Sequence, residues 1–303
     1  RFIGIPGVKT PLCQKDLLRE CDMRFCIVGT GRCGTSLLRQ LFNSHPHVFV
    51  FGETHWIPKM FEFFGTGEAD ANALIDIIQR TYHELGNPVT PLDEELLKFV
   101  LERTQTTTTV QEFCNTLGMA FAERDNKRYW ADKTPDYGPY MHMLSELWPD
   151  CKFVHIIRNG LETAVSMSRH HGFQWMVATG ERWWVPASFN HYYQAAPKAD
   201  KPFESFLDLW YWRLQRIRNE ATRLSPGNYM EVRFDELLEN PGRTLSNIAE
   251  FVDLPAEHTW LSQAAARVDP SSTKSSAHDF DGTALSVRTR TLLENLGYLN
   301  APR

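Results

Sequence analysis

Two groups of polar residues are spaced as chemistry would need them. The first lies in RFCIVGTGRCGTSLL, residues 24–38, where Gly29 and Gly34 flank four residues and Thr35 and Ser36 follow. A glycine-containing loop between a strand and a helix aims backbone N–H groups and the positive end of the helix dipole at one point, which suits an anion. Nucleotide triphosphatases carry a lysine where Thr35 stands, and that lysine reaches the β- and γ-phosphates. Without it the loop suits a shorter phosphate chain. Arg32 offers a planar fork to one phosphate or sulfate, while the backbone of Gly31, Arg32, Cys33 and Gly34 and the hydroxyls of Thr35 and Ser36 complete the cradle. The competing reading is a tight strand-to-helix turn with a capping hydroxyl and a solvated arginine.

The second group lies in HIIRNGLETAVSMSRH, where Arg158 ends an apolar run and Ser166 follows eight residues later. If a helix begins near Gly160, two helical turns bring the serine back towards the arginine, and the pair could hold one further phosphate. Taken alone, an arginine at a sheet edge and a solvent-facing serine explain the same residues.

The elements that must position these groups are legible in the pattern. β-rich runs occur at 24–28, 48–51, 128–132, 152–157 and 228–233, several of them apolar on both faces as buried parallel strands are. Helical stretches lie between them at about 35–44, 71–85, 93–103, 110–124, 139–147, 160–170, 205–224 and 241–252. The pattern predicts an α/β, P-loop-like three-layer fold with a central parallel sheet flanked by helices. No repeat or low-complexity tract divides the chain, so residues 1–303 read as one domain. The stretch 172–204 holds several Trp and Tyr among Gly and Pro without regular spacing; it reads either as an insertion or lid over a site or as an aromatic subcore. A Ser-rich stretch at 268–283, with Ser272 and Lys274, reads as a loop that could touch a ligand.

Composition bounds the function class. At 303 residues, with 42% hydrophobic and 23% charged residues, the chain can bury a sizeable core, and a formal charge of −5 argues against a nucleic-acid binder. No apolar run approaches the roughly 18–20 residues of a membrane helix, so a protein without a membrane span and a cytoplasmic location are expected. The six cysteines form no C-x-x-C pair and no Cys/His cluster with zinc spacing, so no metal is expected. Reduced thiols are the favoured reading, with paired cysteines in an oxidising compartment as the alternative.

Together, GTGRCGTSLL and the Arg158/Ser166 spacing resemble the sulfotransferase family that uses 3′-phosphoadenosine 5′-phosphosulfate as donor, with adenosine 3′,5′-bisphosphate as product. The resemblance implies that the loop holds the 5′-phosphosulfate, that Arg158 and Ser166 hold the 3′-phosphate, and that no γ-phosphate or metal is needed. LFNSHPHVFVFGETHWIP is similar to the segment after the loop in tyrosylprotein and, more loosely, heparan sulfate sulfotransferases, which implies Glu53 as catalytic base. WADKTPDY resembles the segment that supplies a catalytic lysine there, which implies Lys133 beside the sulfuryl group, with Arg32 sharing the stabilisation of charge. EVRFDELLENPGRTLSNIAEFVDLP resembles the family's C-terminal part, with Phe234 where relatives often have tyrosine.

Each implied role has a competitor. Glu53 with Thr54 could open a helix, Lys133 with Asp132 could form a surface ion pair, and His55 is a rival base. His45 before Pro46 is expected to order a turn. The expected acceptor is a hydroxyl on a small molecule, a lipid, a carrier-bound chain or a peptide, with no nucleic-acid partner. The rival functions are a nucleotide-dependent kinase with a modified phosphate loop and a non-catalytic nucleotide-binding module.

Overall fold

The computed structural model describes residues 22–82, 88–183, 202–269 and 285–299. Five strands form one parallel sheet: β1 (Phe25–Gly29), β2 (Val48–Gly52), β5 (Tyr129–Lys133), β6 (Lys152–Ile157) and β7 (Tyr229–Arg233), in the order β2-β5-β1-β6-β7. β3 (Glu68–Asp70) and β4 (Thr107–Thr109) make a separate antiparallel pair. The helices are α1 (Thr35–Asn43), α2 (Ile57–Phe64), α3 (Ala71–Gln79), α4 (Glu94–Arg103), α5 (Val110–Arg124), α6 (Met141–Leu147), α7 (Gly160–Ser168), α8 (His171–Thr179), α9 (Phe203–Ala221), α10 (Phe234–Glu239), α11 (Pro241–Phe251), α12 (His258–Ala265) and α13 (Val287–Asn295). A 3₁₀ turn, Pro135–Tyr140, follows β5.

The sheet is covered on both faces, and the alternation of side chains along β1 shows how. Phe25 and Ile27 enter a core with Leu38, Phe42, Val50, Ile156, Leu245 and Ile248, beneath α1 and α11. Cys26 and Val28 enter the opposite core with Phe51, Phe113, Trp130, Trp148 and Phe153, beneath α5 and α6. A third cluster, around Trp210 with Ile157, Leu161, Met167 and Phe173, joins α7, α8, α9 and α13. α5 approaches β5 closely because Gly118 has no side chain; a Cβ there would stand 2.2 Å from the Trp130 ring.

All five strands stand within a residue of the expected positions. The differences lie in the helices. The predicted helix at 71–85 ends at Gln79, and the one at 139–147 is a 3₁₀ turn followed by α6. The aromatic stretch at 172–204 is a helix in its first part: Phe173 and Met176 are buried three residues apart on one face of α8, and Trp183 packs at 5.9 Å from Trp212. Residues 184–201, like Ser272, Lys274, Cys13 and Cys21, lie outside the described residues. Cys26, Cys33, Cys114 and Cys151 are buried free thiols. Among the described residues no helix is long and apolar enough to cross a membrane.

One buried histidine gives the fold a pH dependence. His155 on β6 is fully enclosed, with Nδ1 2.6 Å from Tyr229 Oη. Burial pushes its imidazole down to about 4, against the upward pull of the Glu231 carboxylate. Between an unfolded value near 6.5 and the folded value, the unfolded chain binds a proton that the native chain does not, so stability falls as pH falls through this window. The expected loss from this group is about 2 kcal/mol at pH 5 relative to pH 7. Urea unfolding at the two pH values should show it, and His155→Gln should flatten that slope.

Candidate active site

The chemistry-bearing residues gather at the carboxyl edge of the parallel sheet, where open α/β folds bind ligands. Arg32 follows β1, Glu53 follows β2, Lys133 ends β5 and Arg158 follows β6. β1 lies at the centre of this arrangement, paired to β5 on one side and β6 on the other.

The loop from Gly29 to Thr35 turns sharply because Gly31, Arg32 and Gly34 all take positive φ, at 79°, 55° and 101°. Glycine adopts this region without strain, whereas arginine does so at a cost. Both glycines also admit aromatic rings: a Cβ on Gly31 would lie 2.5 Å from Phe173, and one on Gly34 would lie 2.2 Å from Phe234. Cys33 is wholly buried, and burial also raises its thiol. Gly34 caps α1 without a side-chain hydrogen bond, and no acidic residue stands in the first turn. The first N–H groups of α1 are therefore left to an anion or solvent, with Ser36 exposed and Thr35 buried beside them.

Arg32, Arg158 and Ser166 do converge. Arg32 Nε donates to Ser166 Oγ at 3.2 Å, and Arg158 Nη1 lies 3.5 Å from the Arg32 carbonyl. They line a cavity of about 240 Å³ together with Glu162, Arg169 and His170. Arg158 is held by Glu162 at 2.9 Å and lies over the Phe234 ring, 5.0 Å from its centroid. The Phe234 ring thus supports both the arginine and the loop. The guanidinium of Arg32 points to this side of the loop, towards Ser166.

Glu53 and Lys133 are brought together. Lys133 Nζ donates to Glu53 Oε1, and Glu53 N–H donates to the Lys133 carbonyl at 2.7 Å. The competing readings of both residues fail on geometry. Glu53 opens no helix, since α2 begins at Ile57 behind Trp56. Lys133 is no surface partner of Asp132: its side chain is 5% exposed, and Asp132 is fully buried, accepting from Thr54 Oγ1 at 2.7 Å. Burial alone would push the Glu53 carboxyl up, but the nearby His55 imidazole and the Lys133 charge outweigh it and hold the group below the ordinary carboxylate range. For Asp132 burial wins, and its carboxyl is raised despite hydrogen bonds from Thr134 and Thr54. His45 orders its turn as expected: Nδ1 accepts from the His47 N–H at 3.1 Å, and Nε2 meets the Pro255 carbonyl at 3.0 Å.

One supporting group escaped the sequence reading. Arg213 on α9 is fully buried, paired with Asp136 and lodged 4.2 Å from the Trp183 centroid and 5.3 Å from that of Phe173. Since Phe173 fills the space at Gly31, the buried cation braces the loop from behind. In the sequence it is one of three arginines on an amphipathic helix, and only its position on the apolar stripe separates it from Arg216 and Arg218.

The sequence and the fold have counterparts among known proteins. Residues 25–258 match the family described as Sulfotransferase family. The sulfotransferase domain from the curacin biosynthetic pathway superposes with a TM-score of 0.58 at 19% identity, covering 92% of this chain and 98% of that one. The sulfotransferase domain from the Synechococcus PCC 7002 olefin synthase gives 0.53 at 18% identity, covering 92% and 95%. These two likenesses are likenesses of fold. An uncharacterized protein of Aquifex aeolicus (strain VF5) is 22% identical over 244 residues, 78% of this chain but 26% of that protein's length.

The Glu53–Lys133 contact predicts energetic coupling between the two side chains. In a cycle of Glu53→Gln, Lys133→Met and the double variant, the two single losses of stability should together exceed that of the double variant by about 1 kcal/mol. Denaturant unfolding measures this, and additive losses would contradict the pairing.

Proposed function

The chain belongs to the sulfotransferase family, and from that premise we propose that it transfers a sulfuryl group from 3′-phosphoadenosine 5′-phosphosulfate to a hydroxyl acceptor, with Glu53 as general base. The observation that carries this reading is the meeting of Glu53 and Lys133 at neighbouring strand ends, on the same sheet edge as an anion loop that has no lysine.

The residues fit the donor. The uncapped start of α1, the loop amides and the hydroxyls of Thr35 and Ser36 suit a 5′-phosphate. The cavity of Arg32, Arg158 and Ser166 suits a second, separate phosphate at the 3′ position, and charge-assisted contacts from two guanidinium groups suit its double charge. When bound, the donor supplies a sulfuryl group that needs no metal for activation.

Glu53 then takes the acceptor's hydroxyl proton as the acceptor oxygen bonds to sulfur. The electrons of the breaking bond between sulfur and the bridging oxygen pass to the leaving phosphate, and Lys133 stabilises the charge that develops there. Both groups come from rigid strand ends, which fixes their placement before the reactants arrive. A kinase reading leaves Arg158 and Ser166 without a role and places Thr35 where the phosphate-reaching lysine belongs. The acceptor belongs to the hydroxyl class, whether a small molecule, a lipid, a carrier-bound chain or a peptide.

Transfer of labelled sulfate from the donor to a panel of phenols and aliphatic alcohols tests the reading. Glu53→Gln should lower turnover roughly 10²- to 10⁴-fold while leaving affinity for adenosine 3′,5′-bisphosphate within about twofold. Unchanged turnover would remove Glu53 from the role of base.

A further inference from the structure

The segment that carries Glu53 is built at a cost. Two non-glycine residues in four, Glu53 at φ 50° and His55 at φ 57°, take the left-handed region, which is strained for a side chain so placed. The residue between them is the anchor. Thr54 is fully buried; its N–H donates to Thr134 Oγ1 at 2.9 Å, its hydroxyl donates to Asp132 Oδ2 at 2.7 Å, and that hydroxyl lies 2.7 Å from Tyr137 Oη. The turn is closed by the Trp56 N–H donating to the Thr54 carbonyl at 2.7 Å. Glycine at position 55 would relieve the strain that the imidazole-bearing residue carries.

The position of that imidazole indicates a use for it. Lys133 occupies Oε1 of Glu53, and His55 Nε2 stands 3.9 Å from Oε2. His55 is 5% exposed, whereas the Glu53 side chain is 37% exposed. The carboxylate is therefore the group an acceptor can reach, and the imidazole lies behind it, in the relation of an orienting group to a base. In the sulfotransferase reading, on which this inference rests, Lys133 must attend to the leaving phosphate, and a carboxylate on a flexible stem then loses its principal partner. We propose that His55 is the positioning residue of Glu53: its imidazole holds Oε2 and keeps the carboxylate aimed at the acceptor hydroxyl once Lys133 has turned to the donor.

The charged and titratable groups facing this pair are Lys133 and the buried Asp132 from β5, Arg39 from α1 and Tyr137 from the 3₁₀ turn. Lys133 from that set and His55 itself act to lower Glu53, so loss of the imidazole should raise the carboxyl and move the acid limb of the activity profile to higher pH.

The experiment compares His55→Gly, His55→Ala and His55→Asn in the full chain, following release of adenosine 3′,5′-bisphosphate with 2-naphthol as hydroxyl probe and with water alone. Glycine keeps the left-handed turn and deletes only the imidazole. His55→Gly should lower kcat by about tenfold or more, shift the acid limb upward, and leave KM for the donor within about twofold. His55→Asn, which tolerates the same backbone and can still donate a hydrogen bond, should recover part of kcat. Wild-type kcat and pH profile in His55→Gly, with loss confined to His55→Ala, would assign the residue to turn geometry and overturn the proposal. If His55→Gly fails to unfold cooperatively or to bind the bisphosphate, the pH profile of His55→Asn decides: an upward shift supports the proposal and an unshifted profile overturns it. Glu53→Gln separates the two readings, since full activity there would remove the general base itself, whereas an inactive Glu53→Gln beside a fully active His55→Gly would remove only the role of His55.

Discussion

The contact between Glu53 and Lys133 depends on the sheet more than on either side chain. β2 and β5 are adjacent and parallel, in a register that pairs Gly52 with Lys133, so the first residue beyond β2 meets the last residue of β5 at the same edge. Side chains of opposite charge placed there must either pair with each other or find other partners, because Lys133 is largely withdrawn from water. Burial of an unpaired ammonium would be costly. In the proposed reaction the same placement would serve the chemistry: an anionic donor at the edge of β1 would compete with Glu53 for the lysine, and a carboxylate that loses a neighbouring cation becomes a better base.

The rest of the edge is organised around the backbone turn after β1. Its positive-φ glycines are filled from outside by two rings, Phe173 at Gly31 and Phe234 at Gly34, and each ring is backed by an arginine. Arg213 is wholly buried and neutralised by Asp136, whereas Arg158 opens into the cavity beside Arg32 and Ser166. The loop is thus held rigid by aromatic packing while its amides remain available. Rigidity at this point matters because preorganised donors need not reorganise when charge arrives.

Much of this was legible in the sequence. Runs rich in β-formers, several of them apolar on both faces because both faces of the sheet are covered, marked the five strands, and the glycine spacing marked the loop that turns β1 into α1. The serine eight residues after Arg158 returned to the arginine side because α7 begins at Gly160, as the spacing required. Short helices were less visible. α10 follows β7 without any breaker, and α2 starts on Ile57-Pro58 within an apolar run, so neither carries the polar cap that marks α4 or α5. α8 was hidden because aromatic residues blur a helical stripe of only nine residues. Nor could the sequence show that Asp132 and Lys133, adjacent on one strand, part company: one is sealed under Thr54 and Tyr137, and the other reaches Glu53.

The most direct test of the central claim is a calorimetric titration with adenosine 3′,5′-bisphosphate beside ADP and ATP, each with and without magnesium, which requires no knowledge of the acceptor. A loop without the phosphate-reaching lysine, set beside a separate two-arginine cavity, predicts preference for the bisphosphate, independent of magnesium and lost in Arg158→Ala. Preference for magnesium-ATP, or equal affinity for the three nucleotides, would contradict the assignment of the two phosphate sites.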